Sequence, residues 1–299
     1  MASGTPAAEV TIDDLLVRRL LHSQFPKFAD LPLQRIGTGW DNDSYRVGKN
    51  GVIRLPRREL GAKLIENEQT WLPKFEPRLP LPVPSLIGVG RPTEFYPWKW
   101  SMLMFLPGTT ANVAPPDQDQ APVLARFLKV LHQPDDGIAP PHHARGVPLQ
   151  LRSRNVEELW ARIQSRTTDV PSDLFEVWEH ALEAPRGKES RWLHGDLHAR
   201  NVLTLNGKIS GIIDWGDITA GDVATDLASA WSLFESPFAR EDFFATYQPT
   251  LEERTRAQGW AFLFAVMLLD SGLIDHPEHA EMGRNIFRRL GERADHNAI

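Results

Sequence analysis

Apolar and polar residues recur in two rhythms along this chain. Helical spacing dominates both ends and period-two alternation the stretches between. Thr11 is placed to cap a helix running to about Phe25, with Ile12, Leu15, Leu16 and Leu20 on one face. Arg35 to Val47 and Val52 to Leu55 then read as three strands, the first two joined by a glycine-containing loop from Gly37 to Asp43. A second helix spans Leu60 to Phe75, its apolar stripe carried by Leu60, Leu64, Trp71, Leu72 and Phe75. Leu79 to Pro84 is a proline-punctuated connector, after which Ser85 to Val89 and Trp98 to Phe105 read as two further strands of the same sheet. Tyr96, Trp98 and Trp100 alternate, which gives one face an aromatic packing surface. From Asp119 the period is helical: Pro122 to His132, Asn155 to Gln164, Asp173 to Ala184 and Trp260 to Leu269. The stretch Gln133 to Val147, rich in Pro, Gly and His, reads as a solvated loop, its His142-His143 pair included.

Between those helices lies a different pattern. Val202 to Leu205 and Lys208 to Ile213 are two short apolar strands around Asn206-Gly207, a dipeptide that accepts the positive φ of a tight hairpin turn. The hairpin returns the chain, so Asp214 is expected to come back beside the loop that carries Asp196 and Asn201. Two carboxylates and an amide oxygen, without thiolates or a histidine set, suit a hard cation such as Mg²⁺.

Composition narrows the classes. The 299 residues are enough for two domains sharing a cleft, and 41% hydrophobic with 24% charged residues is ordinary for a soluble globular protein. A net charge of −6 speaks against nucleic acid as the main partner. The absence of cysteine removes disulfides, thiolate catalysis and zinc–cysteine sites. Met1 to Val10 shows no secretory pattern and no apolar run approaches membrane-spanning length, so no membrane partner and a cytoplasmic location are expected.

The segment His194-Gly195-Asp196-x-x-x-x-Asn201 with Ile213-Asp214-Trp215 resembles the catalytic loop and metal aspartate of the aminoglycoside phosphotransferase family, antibiotic kinases related to the protein kinases. Gly221-Asp222-Val223-Ala224-Thr225-Asp226-Leu227-Ala228 also follows a family run. The resemblance implies an α+β, bilobal, protein-kinase-like fold. Residues 1–104 would form a nucleotide-binding lobe with an antiparallel sheet and one main helix, 105–109 a hinge, and 110–299 a helical lobe with the catalytic loop and acceptor site. It makes Asp196 the base facing the acceptor hydroxyl, Asn201 and Asp214 the Mg²⁺ ligands, and His194 and Asp226 their support. Gly37 and Gly39 would let backbone N–H groups approach a phosphate, and the Phe105 carbonyl and Leu106 N–H would meet the nucleobase. Arg54 stands where kinases carry lysine. Glu68 falls within the apolar stripe, about 40° from Leu64, and a carboxylate there needs a cation, so Arg54–Glu68 is expected as the equivalent ion pair.

The expected activity is transfer of the γ-phosphate of ATP or GTP to a hydroxyl of a small molecule, most simply an aminoglycoside. A macrolide is the alternative, since Gly39-Trp40-Asp41 and Ile53-Arg54-Leu55-Pro56-Arg57-Arg58 look like the macrolide kinases, and another metabolite is a third. Trp231, Glu235 and Asp270 are the candidate acceptor contacts, with Phe234 and Phe238 suiting an apolar one. A nucleotide-binding scaffold without turnover is the reading from a different class.

Overall fold

The computed structural model describes residues 6–187 and 189–292; the part of the Met1 to Val10 expectation that concerns residues 1–5 lies outside them. Two compact units emerge. Among the described residues, one is built from residues 6–107 together with Gly211–Asp217, the other from Gly108–Ser210 with residues 218–292.

The first unit begins with α1 (Asp14–Gln24), capped by Asp13 rather than Thr11, since the Asp13 carboxylate accepts from Leu16 N–H at 2.8 Å. Its buried face is Leu16, Val17, Leu20 and Leu21, whereas Leu15, expected on that face, is 69% exposed. The strands β1 (Leu33–Thr38), β2 (Asn42–Val47) and β3 (Gly51–Pro56) precede α2 (Glu59–Phe75), and β4 (Leu86–Gly90) and β5 (Trp100–Met104) complete the sheet. The order β1-β2-β3-β5-β4 is antiparallel throughout, with Arg54 paired in register with Ser44 on one side and Ser101 on the other. Tyr45, Val47, Ile53, Leu55, Trp100 and Met102 pack with α1 into one core. Tyr96 is wholly buried there and donates its hydroxyl to the Pro56 carbonyl at 2.8 Å, so this aromatic face packs, as its alternation indicated. On α2 the buried stripe is Ala62, Ile65, Glu68, Leu72 and Phe75. Leu60 lies one turn too early, in the first helical turn, and is exposed.

The second unit opens with the short strand β6 (Thr109–Thr110), then α3 (Ala121–Leu131), α4 (Ser153–Arg166) and α5 (Phe175–Glu183). Next come β7 (Arg191–Leu193), β8 (Val202–Leu205), β9 (Lys208–Ile212) and β10 (Thr219–Gly221), followed by α6 (Ala224–Leu227), α7 (Ser229–Leu233), α8 (Pro237–Tyr247), α9 (Leu251–Gly272) and α10 (Pro277–Gly291). Asn206 and Gly207 adopt φ of 51° and 75°, the paired positive values of a tight hairpin turn between β8 and β9. The sheet runs β6-β8-β9, and β10 pairs with β7 alongside the loop that follows it. Helix α9 starts with a reciprocal Thr250/Glu253 capping box and is packed by α4, α5, α6 and α10. Trp160, Phe175, Trp178, Phe262 and Phe287 form the aromatic centre of that packing. Phe234 is core, but Phe238, on the first turn of α8, is 75% exposed. Among the described residues no helix is long and apolar enough to cross a membrane.

Candidate functional site

In the first unit, one arginine holds two carboxylates. Arg54 Nη1 donates to Glu68 Oε2, and its Nη2 donates to Asp214 Oδ1 at 2.6 Å. Glu68 Oε2 also accepts from Trp215 N–H at 3.1 Å, which ties helix α2 to the segment carrying Asp214. Burial alone lowers the Arg54 pKa, but the carboxylates of Asp214 and Glu68 raise it well above the ordinary arginine value. The expected Arg54–Glu68 pair therefore forms, and a planar fork explains why arginine serves: two N–H groups reach two different acids at once. Asp214 has φ of 63°, a left-handed conformation that aspartate tolerates better than most residues, and its side chain is 44% exposed. With only one oxygen given to Arg54, it keeps ligand capacity. We expect Arg54→Met to strand Glu68, itself 1% exposed, and to cost about 3–5 kcal/mol in urea unfolding; Arg54→Lys, which keeps the charge but not the fork, costs less.

Gly37, expected in the loop, lies in β1 paired with Ser44 past a register shift, and Gly39 sits in the β1–β2 turn. Gly39 N–H donates to the Asn42 carbonyl at 2.8 Å, so this group closes the hairpin. The turn is further tied by Arg57, which donates to the Gly39 carbonyl at 2.9 Å, and by Arg58, which reaches Asp41 Oδ1 at 2.6 Å. Gly37 has open space where a Cβ would stand. Past β5, Phe105 N–H donates to the Asn50 carbonyl at 2.7 Å, and Arg46 lies over the Phe105 ring.

The second unit gathers Asp196, Asn201, His194 and Asp226. Asp226 is fully buried and accepts from His194 N–H at 2.7 Å and Gly195 N–H at 2.9 Å. His132 Nε2 lies 3.2 Å from the same carboxylate, and His132 Nδ1 lies 2.8 Å from the Tyr247 hydroxyl. Gly195 takes φ of 86°, where a side chain would strain the loop. The loop thus enters its bend with two backbone donors clamped. Beyond the bend, Asn201 Nδ2 donates to the Asp196 carbonyl at 2.8 Å and to Asp196 Oδ2 at 3.2 Å. Because the amide nitrogen is spent on Asp196, the amide oxygen faces the other way as an acceptor.

Asp196 is itself paired. Arg145 Nη2 donates to its Oδ1 at 2.6 Å, and His198 Nε2 lies 3.3 Å from Oδ2. Burial raises its pKa, but Arg145, His198 and His194 together hold the carboxylate well below the ordinary range. Sequence reasoning missed Arg145 because Gln133 to Val147 read as a solvated loop. The structure corrects this: His142 Nδ1 accepts from the backbone of Ala144 and Arg145 at 3.0 and 2.9 Å, and the Gly146 carbonyl accepts from Asp222 N–H at 3.0 Å. A Cβ on Gly221 would overlap that carbonyl. A histidine three residues before an arginine and a glycine was the available signal.

Of the candidate acceptor residues, Glu235 and Asp270 are both held by arginines. Glu235 accepts from Arg289 at 2.8 Å and Arg288 at 2.5 Å. Asp270 is 3% exposed and held bidentately by Arg162 at 3.0 and 2.8 Å. Trp231 lines a cavity of about 370 Å³ whose charged walls include the pairs Arg240–Glu292 and Arg254–Glu241.

On α10, His279 contacts Arg200 of the loop and lies 3.1 Å from the Ser271 hydroxyl. Burial first, then Arg200, His276 and His198, bring its pKa down to about 4. The unfolded chain takes up this proton near pH 6.5 and the folded one only near 4, so stability contributed by neutral His279 is complete above pH 6.5 and is lost between these values. Urea midpoints across that window should fall with pH, and His279→Gln should flatten the slope.

Asp214 in the first unit keeps a carboxylate oxygen, and Asn201 in the second an amide oxygen, each the donor type that Mg²⁺ takes. Among the described residues no three of His, Cys, Asp and Glu gather as a metal set. An antiparallel five-stranded sheet with one helix, and a helical unit whose buried aspartate clamps an Asp-x4-Asn loop, define the protein-kinase-like class of phosphotransferases. The phosphotransferase enzyme family model matches residues 32–260, and the chain belongs to that family. Solved structures of the same fold include the GDP complex of aminoglycoside 2'-phosphotransferase-IIIa, 17% identical over 93% of this chain and 99% of that one, TM-score 0.66. The apoenzyme of macrolide 2'-phosphotransferase MphH from Brachybacterium faecium is 21% identical over 94% and 100%, TM-score 0.59. A type I macrolide 2'-phosphotransferase is 22% identical over 93% and 98%, TM-score 0.58.

Proposed function

We propose that this phosphotransferase moves the γ-phosphoryl group of ATP or GTP to a hydroxyl of a small antibiotic-like molecule. The observation that carries the reading is the state of Asp196: ionised, oriented by Arg145 and Asn201, on a loop whose entry Asp226 fixes. The acceptor oxygen forms its bond to Pγ while the bond from Pγ to the bridging oxygen breaks and nucleoside diphosphate leaves. The hydroxyl proton passes to Asp196 and then to solvent. A carboxylate held so far ionised is a weak base, so it orients the hydroxyl and takes the proton late, as the loose transition state of phosphoryl transfer requires. Arg54 steadies the nucleotide phosphates, and Asp214 and Asn201 would hold Mg²⁺, which supplies charge neutralisation on those phosphates.

Residues 1–104 then serve the nucleotide, with Phe105 and Leu106 of the 105–109 hinge as backbone contacts for the base, and 110–299 serve catalysis and the acceptor; the segment around Asp214 belongs with the nucleotide side. A cytoplasmic location, where nucleoside triphosphates are supplied, fits the same reading. Complexes of the neighbouring structures contain GDP with kanamycin, or ATP with streptomycin. For this chain the paired state of Glu235 and Asp270 favours a less cationic acceptor, such as a macrolide, over an aminoglycoside. ATP, GTP, ADP and GDP should each be tested for thermal stabilisation with and without Mg²⁺. We expect a Mg²⁺-dependent rise in midpoint that Asp214→Ala removes; no rise with any nucleotide would refute nucleotide use.

A further inference from the structure

We propose that His279 of α10 is a positioning residue for phosphotransfer: it latches Arg200 and so holds the turn 198–201 with Asn201 and His198 facing Asp196; this rests on Asp196 and Asn201 as the residues that meet the acceptor hydroxyl and Mg²⁺. Arg200 is the loop residue immediately before Asn201, and its Nη1 donates to His279 Nε2. A guanidinium has only donors, so this ring nitrogen carries its lone pair and the ring proton sits on Nδ1. Nδ1 lies 3.1 Å from Ser271 Oγ and donates to it, and that hydroxyl donates in turn to the Leu268 carbonyl at 3.2 Å. The bonds therefore run one way, from the loop to the C-terminal end of α9. A pKa brought down to about 4 keeps His279 neutral and able to accept.

The anchor is rigid. His279 is buried, and on either side of it α10 lies too close to α9 for side chains: a Cβ on Gly272 would stand 2.1 Å from Ala280 N, and one on Gly283 2.8 Å from the Ala265 carbonyl oxygen. The loop side is a tight turn. Asn201 N–H donates to the His198 carbonyl at 2.9 Å, and Arg200 N–H donates to His198 Nδ1 at 3.2 Å. With Nδ1 accepting, the ring proton of His198 is on Nε2, the nitrogen 3.3 Å from Asp196 Oδ2. Ala199 is held separately, its N–H on Ser232 Oγ at 3.0 Å and its carbonyl on Asn112 N–H at 3.2 Å. The turn therefore survives loss of the latch, and what the latch adds is the direction of the Arg200–Asn201 backbone. Without an acceptor at His279 the half-buried guanidinium must turn toward water, and its backbone turns with it. A shift of about 1 Å in a catalytic group costs up to about 10²-fold in rate, so the latch matters without touching substrate.

His279→Leu and His279→Gln separate position from packing. Leucine fills the space without a lone pair, whereas the glutamine amide oxygen reaches the place of Nε2 and still accepts from Arg200. In the full chain, deuterium uptake over residues 196–203, read by mass spectrometry, should be about tenfold or more faster in His279→Leu and near wild type in His279→Gln. With Mg²⁺, ATP or GTP and the macrolide or aminoglycoside that gains phosphate, kcat should fall about tenfold in His279→Leu and recover to within about threefold of wild type in His279→Gln. Adding Arg200→Leu to His279→Leu should cost nothing more, since both substitutions cut one contact. Unchanged uptake in a folded His279→Leu protein would overturn the proposal. So would faster uptake with wild-type kcat, or losses that multiply in the double variant. If His279→Leu does not fold, Arg200→Leu alone gives the same two readings. Uptake needs no reaction, so a wild-type chain that modifies no acceptor counts against phosphotransfer and leaves uptake to decide the latch.

Discussion

Asp196→Asn should lower kcat for phosphotransfer by about 10²–10⁴-fold while leaving the nucleotide KM near its wild-type value. The amide is close to the carboxylate in shape and still offers Arg145 an oxygen, so the loop keeps its course. It cannot accept the hydroxyl proton, and it presents an N–H where the hydroxyl should donate. The pH profile adds a second readout. With Arg145, His198 and His194 holding Asp196 ionised below the ordinary carboxylate range, its protonation does not set the acid limb of the wild-type rate near neutrality. Removing the cation in Arg145→Leu should raise that pKa and move the acid limb upward. The Arg145 contact on Asp196 contributes stability that is fully present above the unfolded carboxylate pKa of about 3.9 and is lost as pH falls below it.

Asp226→Ala should be as destabilising as the loss of Arg54, and it should also abolish turnover. The side chain is fully buried, and its removal strands the His194 and Gly195 N–H groups together with the His132 ring. Each buried donor left without a partner costs about 1–3 kcal/mol, so a total on the order of 3–5 kcal/mol is expected in urea unfolding. Asp226→Asn separates the two effects. It retains one accepting oxygen, so it should fold better than the alanine variant, while the misplaced amide N–H faces a backbone donor and shifts the loop. Near-native unfolding of Asp226→Ala would mean the clamp carries little of the loop's order.

The parts of this site that were legible in the sequence are those set by local rules. Asn206-Gly207 announced its turn, and the Asp-x4-Asn spacing announced the loop. Glu68 announced its cation because a carboxylate on a buried stripe must be paired, and Arg54 was the residue to hand. The helix stripes were legible in period but not in edge: Leu15, Leu60 and Phe238 each lie within a first helical turn, where the packing partner has ended before the pattern does. What stayed hidden was long-range charge pairing. Arg145 meets Asp196 across 51 positions, Arg162 meets Asp270 across 108, and Arg289 meets Glu235 across 54, distances over which no periodicity carries information. For that reason Glu235 and Asp270 looked available to a polycation from sequence, and only the fold shows that arginines already hold them.

The most direct measurement is the mass of the acceptor after incubation with the full chain, Mg²⁺ and ATP or GTP, across macrolides and aminoglycosides, run beside Asp196→Asn. One compound gaining a single phosphoryl group with the wild-type chain, and none with the variant, is the predicted result. A phosphorylated product formed equally well by Asp196→Asn would contradict the assignment of this loop as the catalytic centre.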